Sequence, residues 1–283
     1  MTPLRIAVPN KGLLAEPAAE MLHEAGYRRR SDGRELVLLD PENNVELFFL
    51  RPRDIAVYVG SGTVEVGITG RDLLLDSGSP AEELMPLDFG YSTFRLAARV
   101  GTVTDVADLA GLRVATSYPG LLSKYLADKG IDAEVIRLDG AVETAVQLGV
   151  ADVVADVVST GTTLRQAGLE LVGEPIMTSE AVLITRTSVA STPAVQQLVR
   201  RLQGVLVARR YVMMDYDIPD ERLDEACAIT PGIESPTVSP LHRHGWVAVR
   251  AMVPRIDAHR VMDALWDVGA RAIFVTDIVA CRL

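Results

Sequence analysis

The sequence predicts an α/β protein with a two-lobed body and a smaller C-terminal unit. Three observations lead there. Short apolar runs alternate with stretches of helical periodicity from Leu4 to Thr185, the pattern of strands linked by helical crossovers. Several of those runs end in small, polar or basic turns that open straight into a helix, which is where open α/β sheets hold ligands. From Tyr211 the chain reads strand, helix, strand, strand, helix, strand, with short connections and no such turns.

In chain order, Leu4–Val8 is a short buried strand ending at Pro9-Asn10-Lys11-Gly12. Leu13–Ala25 carries apolar residues at helical spacing and stops at Gly26, a common helix end. Glu35–Leu39 and Val45–Leu50 form a hairpin around Asp40-Pro41-Glu42-Asn43-Asn44. Arg51-Pro52-Arg53-Asp54 opens a short helix with proline near its first turn. Val64–Thr69 is a strand, and Gly70-Arg71-Asp72-Leu73 turns into the next helix. Leu84–Phe89 and Thr93–Arg99 are strands around Gly90-Tyr91-Ser92, where the chain crosses between lobes. Asp105–Leu109 is a short helix; Arg113–Thr116 is a strand ending at Ser117-Tyr118-Pro119-Gly120, followed by a helix over Leu121–Lys129. Ile131–Leu138 is a strand, and Asp139-Gly140 leads into a helix carrying Glu143. Val153–Val158 is an apolar strand interrupted only by Asp156. From Arg99 to about Glu180 this alternation implies one compact lobe around a parallel sheet. Glu180–Thr185 returns to the first lobe, and Leu198, Leu202, Val205 and Leu206 mark a long helix over Pro193–Tyr211. In the last unit, strands fall at Tyr211–Ile218, Thr237–Leu241, Trp246–Val253 and Arg271–Val279, with helices at Pro219–Ala228 and Asp257–Val268. The order βαββαβ is the ferredoxin-like pattern. The predicted division is 1–92 with 181–210 for one lobe, 93–180 for the second, and 211–283 for the C-terminal unit.

With 283 residues and 48% hydrophobic content, the chain is long enough for two or three domains with a large core. A net charge of −10 argues against a nucleic-acid surface. It also means that a polyanionic substrate is held by local groups or with a divalent cation. Cys227 and Cys281 stand far apart, in no metal or redox spacing, and read as buried free thiols. No basic flank and apolar core of a leader opens the chain, and no apolar run approaches ~18 residues. The expectation is a cytoplasmic protein with no membrane partner. His242-Arg243-His244 lies in a hairpin turn without acids or cysteines at ligand spacing, so a metal site there is disfavoured. His259 reads as solvated, and Trp246 and Trp266 as core residues of the last unit.

The turn after Val158 organises the candidate site. Ser159-Thr160-Gly161-Thr162-Thr163 is small and hydroxyl-rich and opens into Leu164-Arg165-Gln166. Free backbone N–H groups and threonine hydroxyls suit an anion there, and Gly161 permits close approach. A Thr-capped loop with no ligand is the alternative. Asp156 at the mouth is electrostatically wrong for a phosphate unless it holds ligand hydroxyls or a metal, so a sugar phosphate, or Mg²⁺, fits better. Lys11 in the first strand-to-helix turn, and Arg51 with Arg53, are two further anion candidates, each also readable as simple surface charge. Asp72 is either a helix cap or an acceptor for an amino group. Tyr118 belongs on the same rim as Asp156, since both follow strand ends of one sheet.

The spaced set Glu143-x5-Gly149-x-Ala151-x2-Val154-x-Asp156-Val157-x2-Thr160-Gly161-x-Thr163-Leu164 closely resembles the signature of ATP phosphoribosyltransferases, the enzymes that open histidine biosynthesis. Pro9-Asn10-Lys11-Gly12, Arg51-Pro52-Arg53-Asp54-Ile55, Gly67-Ile68-Thr69-Gly70-Arg71-Asp72 and Thr230-Pro231-Gly232-Ile233-Glu234-Ser235-Pro236-Thr237 look like the family in the same order. The C-terminal unit matches the long form, which carries its own histidine-sensing (ACT-like) domain. Nucleobase-salvage phosphoribosyltransferases have two adjacent acids before their loop; here Val157 follows Asp156. That departure fits the family's periplasmic-binding-protein-like catalytic body.

The resemblance implies transfer of phosphoribose from phosphoribosyl pyrophosphate (PRPP) to N1 of ATP, giving N1-(5-phosphoribosyl)-ATP and pyrophosphate, with no covalent catalytic residue. It implies that Asp156, Val157, Val158, Ser159, Thr160, Gly161, Thr162 and Thr163 hold PRPP, and that Lys11, Arg51, Asp72 and Tyr118 serve ATP, with Lys11, Glu143 and Asp156 positioning the reactants. Mg²⁺ is implied, held mainly by substrate phosphates. Histidine is the implied inhibitor, bound near Asp217, Ser235, Thr237 and Ala272, in a homo-oligomer between dimer and hexamer. A non-catalytic small-molecule sensor and a salvage-type transferase are the competing readings.

Overall fold

The computed structural model describes residues 2–30, 33, 35–158 and 161–282. The chain divides into two compact units, Met1–His23 with Tyr27–Gln196, and Glu24–Gly26 with Gln197–Leu283.

The first unit contains two sheets. β1 (Leu4–Pro9), α1 (Ala15–Glu24), β2 (Val37–Asp40), β3 (Val45–Leu50), α2 (Pro52–Gly60), β4 (Val66–Gly70), α3 (Arg71–Ser77) and β5 (Glu82–Pro86) build the first. Its order is β2-β3-β1-β4-β11-β5, where β11 is Ala181–Thr185. β3, β1 and β4 run parallel at its centre, and every residue of β4 is buried. Their mostly apolar composition follows, since a strand covered on both faces has no polar side; Arg5 of β1 and Glu46 of β3 are only half-buried.

The second sheet takes β6 (Ser92–Arg99), β7 (Arg113–Thr116), β8 (Glu134–Arg137), β9 (Val153–Val158) and β10 (Leu169–Ser179), in the order β10-β6-β9-β7-β8. α4 (Pro119–Lys129), α5 (Glu143–Gln147) and α6 (Thr162–Gln166) connect them. Side chains of β9 alternate between the two faces. Val153 and Ala155 join Phe94, Leu96, Leu122 and Leu126, while Val154 joins Ala97, Val142, Val146 and Leu164. The expected parallel sheet is therefore mixed. β7, β8 and β9 are parallel, but β6 and β10 are antiparallel to their neighbours. The cause is topological: β6 enters from the first sheet and runs against both of its neighbours, while β10, joined to β9 through α6, lies parallel to β9 on the far side of β6.

Several boundaries move. The strand expected over 84–89 lies at Glu82–Pro86; Leu87 and Phe89 instead form the crossing segment, with Leu87 N–H donating to Ala181 O and Ala181 N–H to Phe89 O. The first helix starts at Ala15 because Leu13 is 79% exposed and lies in the preceding turn.

In the second unit, the helix α8 (Pro193–Arg210), which begins in the first, leads into β12 (Tyr211–Pro219), α9 (Leu223–Ile229), β13 (Thr237–Pro240), β14 (Trp246–Pro254), α10 (Ala258–Asp267) and β15 (Arg271–Asp277); a short helix α7 (Thr187–Ala190) precedes α8. The antiparallel order β13-β14-β12-β15 is the ferredoxin-like sheet. Val212, Met214, Tyr216 and Ile218 of β12 pack against the two helices with Val261 and Leu265. Inside, the Tyr216 and Thr230 hydroxyls are hydrogen-bonded at 2.7 Å.

Two expectations fail here. Trp266 is 56% exposed, with Arg271 stacked 4.0 Å from its ring centroid; Trp246 is half-buried under Arg243. The cysteines are half-buried rather than buried, and burial still pushes the Cys227 thiol up, helped by Asp224. His259 is exposed as expected. Among the described residues no cluster of metal-ligating side chains is found, and no helix is long and apolar enough to cross a membrane.

Candidate active site

The C-terminal ends of the parallel strands of both sheets converge on one cleft. A cavity of about 490 Å³ is lined by Lys11 after β1, by Arg51, Pro52, Arg53 and Asp54 after β3, and by Leu73 after β4. From the second sheet come Ser117 after β7 and Asp139 with Gly140 after β8. Sequence reasoning placed Lys11 and Arg51 on separate turns; the fold brings them together because β1 and β3 are neighbours. Another cavity, of about 280 Å³, lies at the opposite end of the second sheet around Arg99, Thr102, Gly149 and Asp152 and holds none of these groups.

Asp156 is half-buried near the end of β9. Its Oδ1 accepts from Val157 N–H at 2.8 Å and from Ser117 Oγ at 3.3 Å. Burial raises its pKa above the ordinary carboxylate value; the negative charge of Glu143 adds to this, and Arg53 opposes it. Glu143 opens α5 and is half-buried beside it. So the two acids expected near the sugar do share a region. β9 ends where Thr93 Oγ1 donates to Val158 O. Val157 and Val158 are half-buried, Gly161 has a left-handed backbone (φ 68°), and Thr162 and Thr163 are exposed. Ser159 and Thr160, the centre of the expected phosphate turn, lie outside the described residues. The helix after the turn is only five residues long, so backbone N–H groups and hydroxyls matter more there than a macrodipole.

Tyr118 packs edge-on against Phe94, with the Arg53 guanidinium 4.8 Å from its ring centroid. Its phenol is pushed well above the ordinary range by burial and by the charges of Asp72 and Asp156. Asp72 is 6% exposed and engages Ser179 twice: Asp72 N–H donates to Ser179 Oγ at 3.0 Å, and Ser179 Oγ donates to Asp72 Oδ1 at 2.8 Å. Asp72 and Tyr118, two of the four residues expected to serve ATP, therefore lie close enough across the two sheets for the charge of Asp72 to act on the phenol. Ser117, Ser179, Asp139 and Asp76 were not anticipated. Ser117 could have been found from its place beside Tyr118 at a strand end; Ser179 closes a strand that the sequence did not reveal.

In the second unit, Asp217 is half-buried on the sheet face away from the helices, in register with Ala248 and Arg271. The next row on that face is Asp215, Arg250 and Thr237, with Arg250 paired to Asp215 at 2.6 Å. Ser235 and Ala272 are exposed, Ala272 with φ 50°. A cavity of about 380 Å³ in this unit is lined by Tyr211, Thr230, Ile233, Met252, Asp257 and Arg260 among others, and by none of the four predicted residues.

A family model described as ATP phosphoribosyltransferase matches residues 51–204 of this chain. The chain belongs to the ATP phosphoribosyltransferase family. A second model, the C-terminal domain of the same family, matches residues 208–280, which makes this the long form. An ATP phosphoribosyltransferase of Streptomyces avermitilis is 65% identical over 99% of this chain and 100% of its own length. That of Streptomyces coelicolor is 63% identical over the same shares. Among solved structures, an ATP phosphoribosyl transferase HisG:HisZ complex from Thermotoga maritima matches with a TM-score of 0.63 and 26% identity, covering 72% of this chain and 98% of that one. As an ATP phosphoribosyltransferase the chain is a pentosyltransferase acting at the first step of histidine biosynthesis, on an α/β body with a C-terminal family domain.

Proposed function

We propose that the cleft transfers 5-phosphoribose from PRPP to N1 of ATP. The bond from ribose C1 to the pyrophosphate oxygen breaks, the bond from C1 to adenine N1 forms, and pyrophosphate leaves. Adenine N1 carries no proton, so the reaction needs alignment and charge stabilisation rather than a base. The observation that carries this reading is the meeting of Lys11, Arg51 and Arg53 with Ser117 in one cavity, with Ser117 bonded to Asp156. The cations suit triphosphate or pyrophosphate. Asp156 and Glu143 suit ribose hydroxyls, and the turn from Val157 through Thr163 suits the 5-phosphate. Asp72 and Tyr118 suit the adenine side.

Mg²⁺ fits the donor set. Glu143 and Asp156 are hard oxygen donors, close enough for the charge of Glu143 to act on Asp156, and Mg²⁺ commonly combines one or two carboxylates with substrate phosphates. When bound it would offset charge on the leaving pyrophosphate. In the same reading the C-terminal unit binds histidine through Asp217, Ser235, Thr237 and Ala272 and inhibits the enzyme. The protein works in the cytoplasm as a homo-oligomer between dimer and hexamer. Purified protein with ATP, PRPP and Mg²⁺ is expected to release pyrophosphate with N1-phosphoribosyl-ATP, less so with histidine added. Product with free nucleobases but not with ATP would overturn the reading.

A further inference from the structure

Helix α4 begins without a cap of its own. Tyr118 is its N-cap residue and makes no capping hydrogen bond through its side chain. The free N–H groups of a first helical turn need acceptors, and tyrosine is a poor supplier. The acceptor comes from the other sheet. Asp76, in the last turn of α3, places Oδ1 2.9 Å from Gly120 N and 3.1 Å from Leu121 N. Its Oδ2 accepts from Arg53 Nη1 at 2.7 Å, and its side chain is 8% exposed. The approach leaves no room at Gly120: a Cβ there would collide with the backbone oxygen of Asp76. Arg53, held at that distance, lies over the Tyr118 ring.

We propose that Asp76 is a positioning residue for the transferase reaction, a cap supplied across the cleft that fixes Tyr118 between Arg53 and Asp72. This rests on the assignment of Tyr118 to the ATP side. The carboxylate connects α2, α3 and α4 at once. One oxygen satisfies the helix whose first residue follows Tyr118; the other orients the guanidinium stacked on its ring. A tyrosine at an N-cap position, with its own backbone secured by a neighbour, keeps its side chain available for a ligand. The arrangement requires the two sheets to be close, so Asp76 also ties the orientation of Tyr118 to closure of the cleft.

The test uses the full-length protein with ATP and PRPP varied separately. Asp76→Ala removes both contacts; Asp76→Asn keeps an oxygen for the helix N–H groups and loses the ion pair. Asp76→Ala is expected to raise KM for ATP about tenfold, or about 1.4 kcal/mol, with KM for PRPP within about twofold. Asp76→Asn should fall between the two. Combining Asp76→Ala with Tyr118→Ala should cost less than the sum of the single effects on ATP. Equal losses for ATP and PRPP, additive losses in the double variant, or a lower melting temperature with unchanged kinetics would each overturn the proposal. Tyr118→Ala separates the two levels. If it leaves KM for ATP unchanged, the ATP-side assignment falls and the proposal with it. If it raises KM while Asp76→Ala does not, only the role of Asp76 falls.

Discussion

Replacing Asp156 by asparagine should cost activity and increase stability. Both donors to Asp156 among the described residues, Val157 N–H and Ser117 Oγ, reach the same oxygen, Oδ1. Oδ2 is then the atom left for a ribose hydroxyl, and one charge-assisted hydrogen bond is at stake. Such a bond contributes about 1.5–3 kcal/mol, or roughly 10- to 150-fold in kcat/KM if it is made in the transition state. Asparagine keeps the shape and presents an NH₂ group in place of the second oxygen. The stability effect follows from the direction of the pKa shift. Burial, then the neighbouring Glu143, hold the folded-state pKa of Asp156 above its unfolded value. The stability linked to this group is therefore fully present below the ordinary aspartate pKa of about 3.9 and is lost as pH rises through the raised folded value. Asparagine has no such loss. In the absence of substrates the variant should melt above the wild type at neutral and alkaline pH. The gap should close as pH falls towards 4. Steady-state kinetics with PRPP varied, and melting curves across pH, test both halves. Wild-type kcat/KM within about twofold, or a gap that opens at low pH instead, would refute the reasoning.

Three further changes probe other parts of the chain. Lys11→Met removes an exposed cation from the cleft mouth; an exposed charge contact is worth up to about 1 kcal/mol, so KM for a polyphosphate substrate should rise no more than about fivefold, and less at high salt, as kinetics at two ionic strengths will read. Thr230→Val strips the buried partner from the Tyr216 hydroxyl and should destabilise the second unit by about 1–3 kcal/mol, measured by denaturant unfolding. Asp217→Ala removes the half-buried acid on the open sheet face and should raise the half-inhibitory histidine concentration at least about tenfold; an inhibition curve unchanged from wild type would contradict the regulatory reading.

The parallel strands were legible because double burial leaves one kind of residue. Val66–Gly70 is buried throughout, and its one polar residue, Thr69, is satisfied by donating to Pro52 O. Leu169–Ser179 was not legible. It is an edge strand paired only with β6, and its register breaks between Val172 and Met177. Gly173, Glu174 and Pro175 fall in that break, where proline is tolerated because no ladder hydrogen bond is required. Its burial follows no period of two, so no alternation could appear. Trp266 misled for a different reason. Ala258, Val261 and Leu265 form the buried stripe of α10, and Trp266 stands one residue past it, about 100° round the helix. In the site, Lys11, Arg51, Asp72 and Tyr118 could be singled out because each lies within two residues of a strand end. Asp76 could not. Within its own helix it resembles a solvated acid, and its partners belong to a helix more than forty residues later.

The charge distribution also constrains how an acidic chain holds two polyphosphates. The net charge is −10, so long-range repulsion opposes both ligands. The cations of the cleft are grouped on the rim of the first sheet, and the acids Asp156 and Glu143 stand with the second. Arg53, however, is paired with Asp76 and stacked on Tyr118. Much of its charge is committed to holding the cleft together. Lys11 and Arg51 then remain as the cations of this cavity free to meet phosphate, both exposed and hence screened. Two such groups fall short of the charge on a triphosphate together with a pyrophosphate. If the proposed transfer holds, substrates that arrive with divalent cations would make up the difference, and the activity should then fall when divalent cations are chelated.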